Sequence, residues 1–105
     1  MWDSSINFLV KEVENMDINS LKQVMDNLVN EHENLFILIA NKNKDNVNFL
    51  ARSNSNINAG IVVKDASTRS GGNGGGSNKF AQGGGKTFDE IPNIFKDLLD
   101  GKYND

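Results

Sequence analysis

At the start of the chain, Ile6, Phe8 and Val10 interleave with Asn7, Leu9 and Lys11. Strand side chains alternate between two faces, so this stretch predicts a strand with one better-buried side. The period then changes. Leu21, Val24, Met25, Leu28 and Val29 recur at i, i+3, i+4, i+7 and i+8, a stripe of 3.6-residue period. Capped by Asp17, they predict a helix from about Asn19 to about Glu33. Leu35–Ala40 is apolar at every position and short, the pattern of a central strand covered on both faces. The polar run Asn41-Lys42-Asn43-Lys44-Asp45-Asn46 is a turn, and Val47, Phe49 and Ala51 alternate beyond it. A hairpin that pairs this strand antiparallel to the one before follows.

Downstream, Asn58 is placed to cap a second helix, with Val62, Val63 and Ala66 on its buried side and the glycines from Gly71 stopping it. Phe80-Ala81-Gln82 reads as a short strand between two glycine clusters. Thr87 and Glu90 have capping-box spacing, and Pro92 fits the first turn of a third helix. The stripe of that helix is Ile91, Ile94, Phe95, Leu98 and Leu99, and Gly101 ends it. The order is β-α-β-β-α-β-α. We therefore expect a single compact α/β domain, a small mixed sheet covered by about three helices, with a glycine-rich loop over 71–86 at one end.

A chain of 105 residues suffices for one core. Cysteine is absent, which removes disulfides, iron–sulfur clusters and thiol zinc sites. His32 is the sole histidine, so histidine metal sites and Ser-His-Asp chemistry are hard to assemble. No metal site and no catalytic residue is expected. No basic-then-apolar signal opens the chain, and no apolar run approaches the roughly 20 residues that span a bilayer. The expectation is a cytoplasmic protein without a membrane partner. Asparagines such as Asn27, Asn30, Asn34, Asn41 and Asn43 read as compositional bias at exposed helix and loop positions.

Charge adds an asymmetry to the net value of −3. Arg52, Lys64, Arg69, Lys79 and Lys86 stand against Asp65 alone between residues 52 and 86, a local balance of +4 that leaves −7 elsewhere. Eight of the ten glycines fall within Gly71–Thr87, at the end of the same stretch. Glycine is entropically costly in ordered structure, so two clusters need a reason. Either backbones approach closely, or bare N–H groups form a cradle for an anion. A plain Gly/Ser linker would not carry the insert Lys79-Phe80-Ala81-Gln82.

Familiar nucleotide motifs fail on spacing. Gly85-Lys86-Thr87 resembles the end of a P-loop, but the required earlier glycine falls on Phe80. G-x-G-x-x-G fails at Ser77 when started from Gly72 and at Lys79 when started from Gly74. The carboxylate pairs Glu12/Glu14 and Asp89/Glu90 suit a strand face and a helix start. His32, near a helix end, suits a surface role, and Trp2 and Tyr103 are expected to pack or fray at the termini.

Three stretches together resemble one family. Asn58-Ala59-Gly60-Ile61-Val62-Val63-Lys64, then Gly71-Gly72-Asn73-Gly74-Gly75-Gly76, then Ala81-Gln82-Gly83-Gly84-Gly85 are similar to the C-terminal, DHH-associated domain of alanyl-tRNA synthetases. The Asp17/Leu21 helix start and the Leu35–Ala40 strand agree with that pattern, so the resemblance covers nearly the whole chain. It implies a noncatalytic module that grips the elbow of an alanine-specific tRNA and supports aminoacylation and editing. The other domains of the synthetase would be its second partner. ATP, magnesium and zinc would belong to the rest of the parent enzyme, and none to this domain. Contacts with RNA would come from Gly71, Gly72, Asn73, Gly74, Gly75, Gly76 and Ser77, from Gln82, Gly83, Gly84 and Gly85, and from the cations Lys79, Lys86, Arg52 and Arg69. RNA would be held by shape and backbone more than by base identity.

The chain also departs from the family. Synthetase members commonly carry Arg-Pro-Asp-Met where Ser77-Asn78-Lys79-Phe80 stands, which exchanges a planar fork for the point charge of Lys79. The DHH phosphodiesterase branch places a histidine at the position of Ser77, and a substrate-gripping domain of that type is the second reading. A protein-interaction or dimerisation module is the third. The family's dimerising helical segment would lie before residue 1, so the isolated domain is expected to be monomeric.

Overall fold

The computed structural model describes residues 6–103, so the expectation for Trp2 lies outside the described residues. Eight elements follow in order: β1 (Asn7–Glu14), α1 (Ile18–Glu31), β2 (Leu35–Lys42), β3 (Val47–Ser53), α2 (Ala59–Arg69), β4 (Asn73–Gly76), β5 (Phe80–Gly85) and α3 (Ile91–Leu99). They build one five-stranded mixed sheet in the order β1-β2-β3-β5-β4. β1 runs parallel to β2, with α1 as the crossover, and β2 turns back antiparallel onto β3 with Lys42 opposite Val47. β5 is antiparallel to both β3 and β4. The Cα radius of gyration, 12.5 Å, is close to the roughly 13 Å expected for one globular body of this length.

The strict alternation within β2 divides the core. Leu35, Ile37 and Ile39, with Leu50 of β3, face Leu21, Met25 and Val29 of α1. Phe36, Leu38 and Ala40, with Val47, Phe49 and Ala51, face α2 and α3 through Val62, Val63, Ala66, Ile94 and Leu98. Each fully buried large side chain contributes about 1.5–3 kcal/mol, which is why the two-faced strand sits at the centre.

Local chemistry sets the ends. Asp17 accepts from the Ser20 N–H at 3.0 Å and caps α1, and Asn58 accepts from the Ile61 N–H at 3.2 Å and caps α2. α1 stops at Glu31, short of Glu33, because Asn54 ties its end down. The Asn54 amide donates to the Val29 and His32 carbonyls and accepts from the Leu35 N–H. Asn34 then turns the chain with φ of 55°.

Four expectations need correction. Val24 is 51% exposed and Leu99 46% exposed, since each apolar stripe is wider than the sheet beneath it. The Thr87/Glu90 capping box does not form. α3 starts at Ile91, Thr87 donates to the Ser70 carbonyl, and the Glu90 carboxylate is claimed by Arg69 in charge-assisted bonds stronger than a cap. Asparagine is more than background. Asn41 is buried and exchanges two hydrogen bonds with the Met16 backbone, at 3.0 and 2.9 Å. Finally, the glycine-rich segment is a hairpin within the sheet, β4 and β5, instead of a loop beyond it.

Candidate nucleic-acid interface

Gly60, Gly74, Gly83 and Gly85 are explained by the contact between α2 with its C-cap and the hairpin, and Gly72 and Gly76 by the close backbone of β5. A Cβ on Gly60, in the first turn of α2, would lie 2.6 Å from the Gly76 carbonyl oxygen. On Gly83 it would lie 2.2 Å from Ser67 Oγ, and on Gly74 2.8 Å from the same atom. Gly72, Gly76 and Gly85 meet backbone or Ser70 equally closely. α2 therefore rests almost directly on the backbone of β4 and β5, and side chains there would lift it off. Asn58-Ala59-Gly60 and the glycine clusters are two halves of one contact.

This contact closes a site that the sequence left open. The Ala59 and Gly60 N–H groups donate to the Asn78 and Ser77 carbonyls at 3.0 and 2.9 Å, so the N-terminus of α2 is filled by the protein itself. The amides of β5 lie in ladders with β3 and β4. Along β5 a cradle of bare N–H groups does not form, because pairing on both sides satisfies those donors first, whereas β4 is the edge strand and pairs with β5 alone.

The opposite face of the same hairpin is different. Asn73 and Gly75 of β4, Phe80, Gln82 and Gly84 of β5, and Asn48, Leu50 and Arg52 of β3 stand in register on the α1 side of the sheet. α1 packs over β1, β2 and Leu50 and leaves the hairpin bare. No heavy atom comes within 4 Å of a Cβ built on Gly75, and Gly84 would meet nothing nearer than the Val47 carbonyl at 3.2 Å. Packing does not require glycine at these two positions, although the φ of 158° at Gly75 favours it there. Gln82 is exposed between them.

The cations separate into two kinds. Lys79 lies in the Ser77–Phe80 turn and Lys86 just after β5, and neither forms an ion pair among the described residues. They flank opposite ends of β5, roughly 20 Å apart at strand spacing. Arg52 is partly committed: its Nε pairs with Asp26 at 3.0 Å and its Nη1 donates to the Lys79 carbonyl at 3.1 Å, holding α1 to the turn. Lys22 sits 5.4 Å from the Phe80 ring centroid beside that link.

Arg69 is not brought to this face. Its guanidinium binds Asp97 at 2.8 Å, Glu90 at 3.0 and 3.1 Å and Asp65 at 3.5 Å, joining α2 to α3. Burial by itself would raise the Asp65 carboxyl, but the donating Tyr103 hydroxyl, Lys102 and Arg69 hold it below the usual value. The hydrogen bond from Arg69 lowers Asp97 likewise. Burial and the Asp65 carboxylate push the Tyr103 phenol well above its usual value. This cluster locks the end of the chain onto α2.

Sequence reasoning missed Lys22, Phe80, Asn46 and Asn48 as members of the surface. Phe80, Asn46 and Asn48 border or lie on strands whose register was not yet known, and Lys22 reaches the surface from α1, whose position over the sheet was not known either. Among the described residues, no group of three or more His, Asp or Glu side chains is arranged to hold a metal, and no helix is long and apolar enough to cross a membrane.

The chain is thus an α/β domain whose glycine hairpin is pressed against a helix on one side and bare on the other. Residues 5–101 match the DHHA1 domain model, and the chain belongs to that family. It is 38% identical over 91 residues to the alanine–tRNA ligase of Bacillus anthracis, covering 82% of this chain and 10% of the ligase. Against the alanine–tRNA ligase of Helicobacter hepaticus it is 31% identical over 99 residues, covering 90% and 11%. The chain thus spans about a tenth of the length of the curated relatives it matches. Among solved structures, the C-Ala domain from Aquifex aeolicus alanyl-tRNA synthetase superposes with a TM-score of 0.79 at 26% identity, covering 95% of this chain and 96% of that one.

Proposed function

We propose that this chain is the tRNA-gripping module of an alanyl-tRNA synthetase, binding the elbow of alanine-specific tRNA through the bare face of the β4–β5 hairpin. The observation that carries this reading is the end-to-end likeness to the C-Ala domain, found in a fold that leaves one glycine face uncovered. Lys79 and Lys86 supply unpaired positive charge at the two ends of that face, and Gln82 with Asn73 supplies polar contacts between them. RNA held in this way is recognised by shape and phosphate more than by sequence. The work of the domain is binding: it keeps one tRNA in place for aminoacylation and editing carried out by the rest of the synthetase in the cytoplasm. ATP, magnesium and zinc belong to that remainder, and the isolated domain is monomeric.

The test is binding of the chain to folded tRNA at low and at moderate salt, beside the double variant Lys79→Ala/Lys86→Ala. Affinity of the wild type should fall steeply with salt. The variant should bind about tenfold more weakly, with a shallower slope by about 1.5, as expected for the loss of two phosphate contacts. No binding by the wild type at low salt would refute the reading and leave the glycines with their packing role alone.

A further inference from the structure

An open notch of about 250 Å³ lies at the end of the bare face, walled by Asn46, Asn48 and Lys86 over a floor of Gly72, Gly84 and Gly85. We propose that this notch is a phosphate-oxygen site, which on the RNA-binding reading above receives a backbone phosphodiester.

The amides of the notch are oriented by one donor. A single group, Asn43 Nδ2, donates to Asn48 Oδ1 at 2.8 Å and to Asn46 Oδ1 at 3.2 Å. Asn43 is itself fixed, since its N–H donates to the Asn46 carbonyl at 2.7 Å across the β2–β3 turn. Both side-chain oxygens are thereby turned toward Asn43, which leaves the Asn48 amide with its amino end on the notch side. Asn48 Nδ2 lies 3.7 Å from the place a Gly84 Cβ would occupy, so the amino group overhangs the glycine floor. Lys86 brings an ammonium with no ion-pair partner among the described residues, and no carboxylate lines the wall.

The side chains turned to the notch thus offer the Asn48 amino group and the Lys86 ammonium, both donors, with the Val47 carbonyl at the floor. A ligand that accepts hydrogen bonds suits them, and the ammonium favours an anion. Gly84 gains a role that packing did not supply: without a side chain it leaves room for the ligand between Asn48 and Lys86. The site is built from the β2–β3 turn and the end of β5, about a strand's length from the turn that carries Lys79.

The decisive variant is Asn48→Asp. It keeps an oxygen for Asn43 to donate to, preserves shape, and replaces the overhanging donor with a charged acceptor. The chain, labelled with nitrogen-15, is titrated with inorganic phosphate and separately with folded tRNA, following the Asn46 and Asn48 side-chain amides and the Gly84 and Lys86 backbone amides. These resonances should shift with both ligands, and Asn48→Asp should weaken tRNA binding at least fivefold at unchanged thermal stability. If tRNA binds while these signals stay still, or Asn48→Asp binds as well as or better than wild type, the site is overturned and the RNA reading stands. If tRNA does not bind but phosphate shifts the notch signals, the RNA reading falls and the anion site stands. If neither ligand moves them and tRNA does not bind, both fall.

Discussion

Adjacent glycines on one strand should differ sharply in their tolerance of a methyl group. In Gly83→Ala the new Cβ would lie 2.2 Å from Ser67 Oγ, 2.8 Å from Gly74 Cα and 3.0 Å from Val63 Cγ1. Two of those three atoms belong to α2, so the helix must move off the hairpin or Ser67 must rotate in a closed space. Overpacking of this kind costs about 1–3 kcal/mol, and the depth of the overlap argues for the upper half, about 2–3. With a urea slope of about 1.5 kcal/mol/M, the unfolding midpoint should drop by roughly 1.5 M. In Gly84→Ala the nearest atom is the Val47 carbonyl oxygen at 3.2 Å, and a small shift relieves it. The lower entropy of the unfolded alanine chain, worth about 0.4–1 kcal/mol, offsets that shift, so the midpoint should stay within about 0.3 M of wild type. Ser67 supplies an internal control. Its hydroxyl is buried without a hydrogen-bond partner, so Ser67→Ala should be neutral or stabilising. In that background Gly83→Ala should lose much of its penalty, giving a coupling above about 1 kcal/mol. Circular dichroism on the four proteins measures the cycle. Equal effects of Gly83→Ala and Gly84→Ala, or no coupling to Ser67, would refute the account of the glycine face.

Arg69→Leu should lower stability by about 1 kcal/mol while leaving tRNA affinity unchanged, because it strands the Glu90 and Asp97 carboxylates, yet stands away from the proposed RNA face. The estimate is modest because the cluster is partly wet. A drop in tRNA affinity at unchanged stability would contradict this placement. The same cluster sets two limits in pH. Asp65 and Asp97 titrate below the ordinary value of 3.8, so their contribution is complete above it and is lost as pH falls through their folded values. Tyr103 titrates above its ordinary value of 10.0, so its contribution is complete below that pH and is lost as pH rises. Thermal midpoints against pH check the acid limb. The phenolate absorbance of the only tyrosine checks the alkaline limb, and ionisation near pH 10 in the folded state would refute it.

Much of the architecture was legible because its causes are local. The two-residue and 3.6-residue periods placed β1, α1 and β3, the unbroken apolar run placed β2, and the caps Asp17 and Asn58 work as their chemistry requires. The β2–β3 hairpin and the α/β class followed from the same patterns. The end of α1 and the start of α3 were less legible, since distant partners decide them: Asn54 for the first and Arg69 for the second.

The glycine segment marks the limit. Its composition announced that something must come close to the backbone, and its resemblance to a family of tRNA synthetase domains was readable from the residues. Glycine has no side chain, however, so it carries no period, and no pattern can say that β4 exists, that the strand read at Phe80–Gln82 runs on to Gly85, or which way each residue points. Only the sheet register and the position of α2 separate glycines that make room for a helix from Gly75, which faces open space, and Gly84, which faces the other side of the sheet beneath Asn48. Arg69 shows the same thing for charge. In sequence it was one of five cations in a basic stretch, whereas in the fold three carboxylates from α2, α3 and its flank surround it. Amino-acid type determines what a residue can donate, accept or leave vacant. The long-range packing of helix on sheet determines whether that capacity is spent inside the protein or remains for a partner.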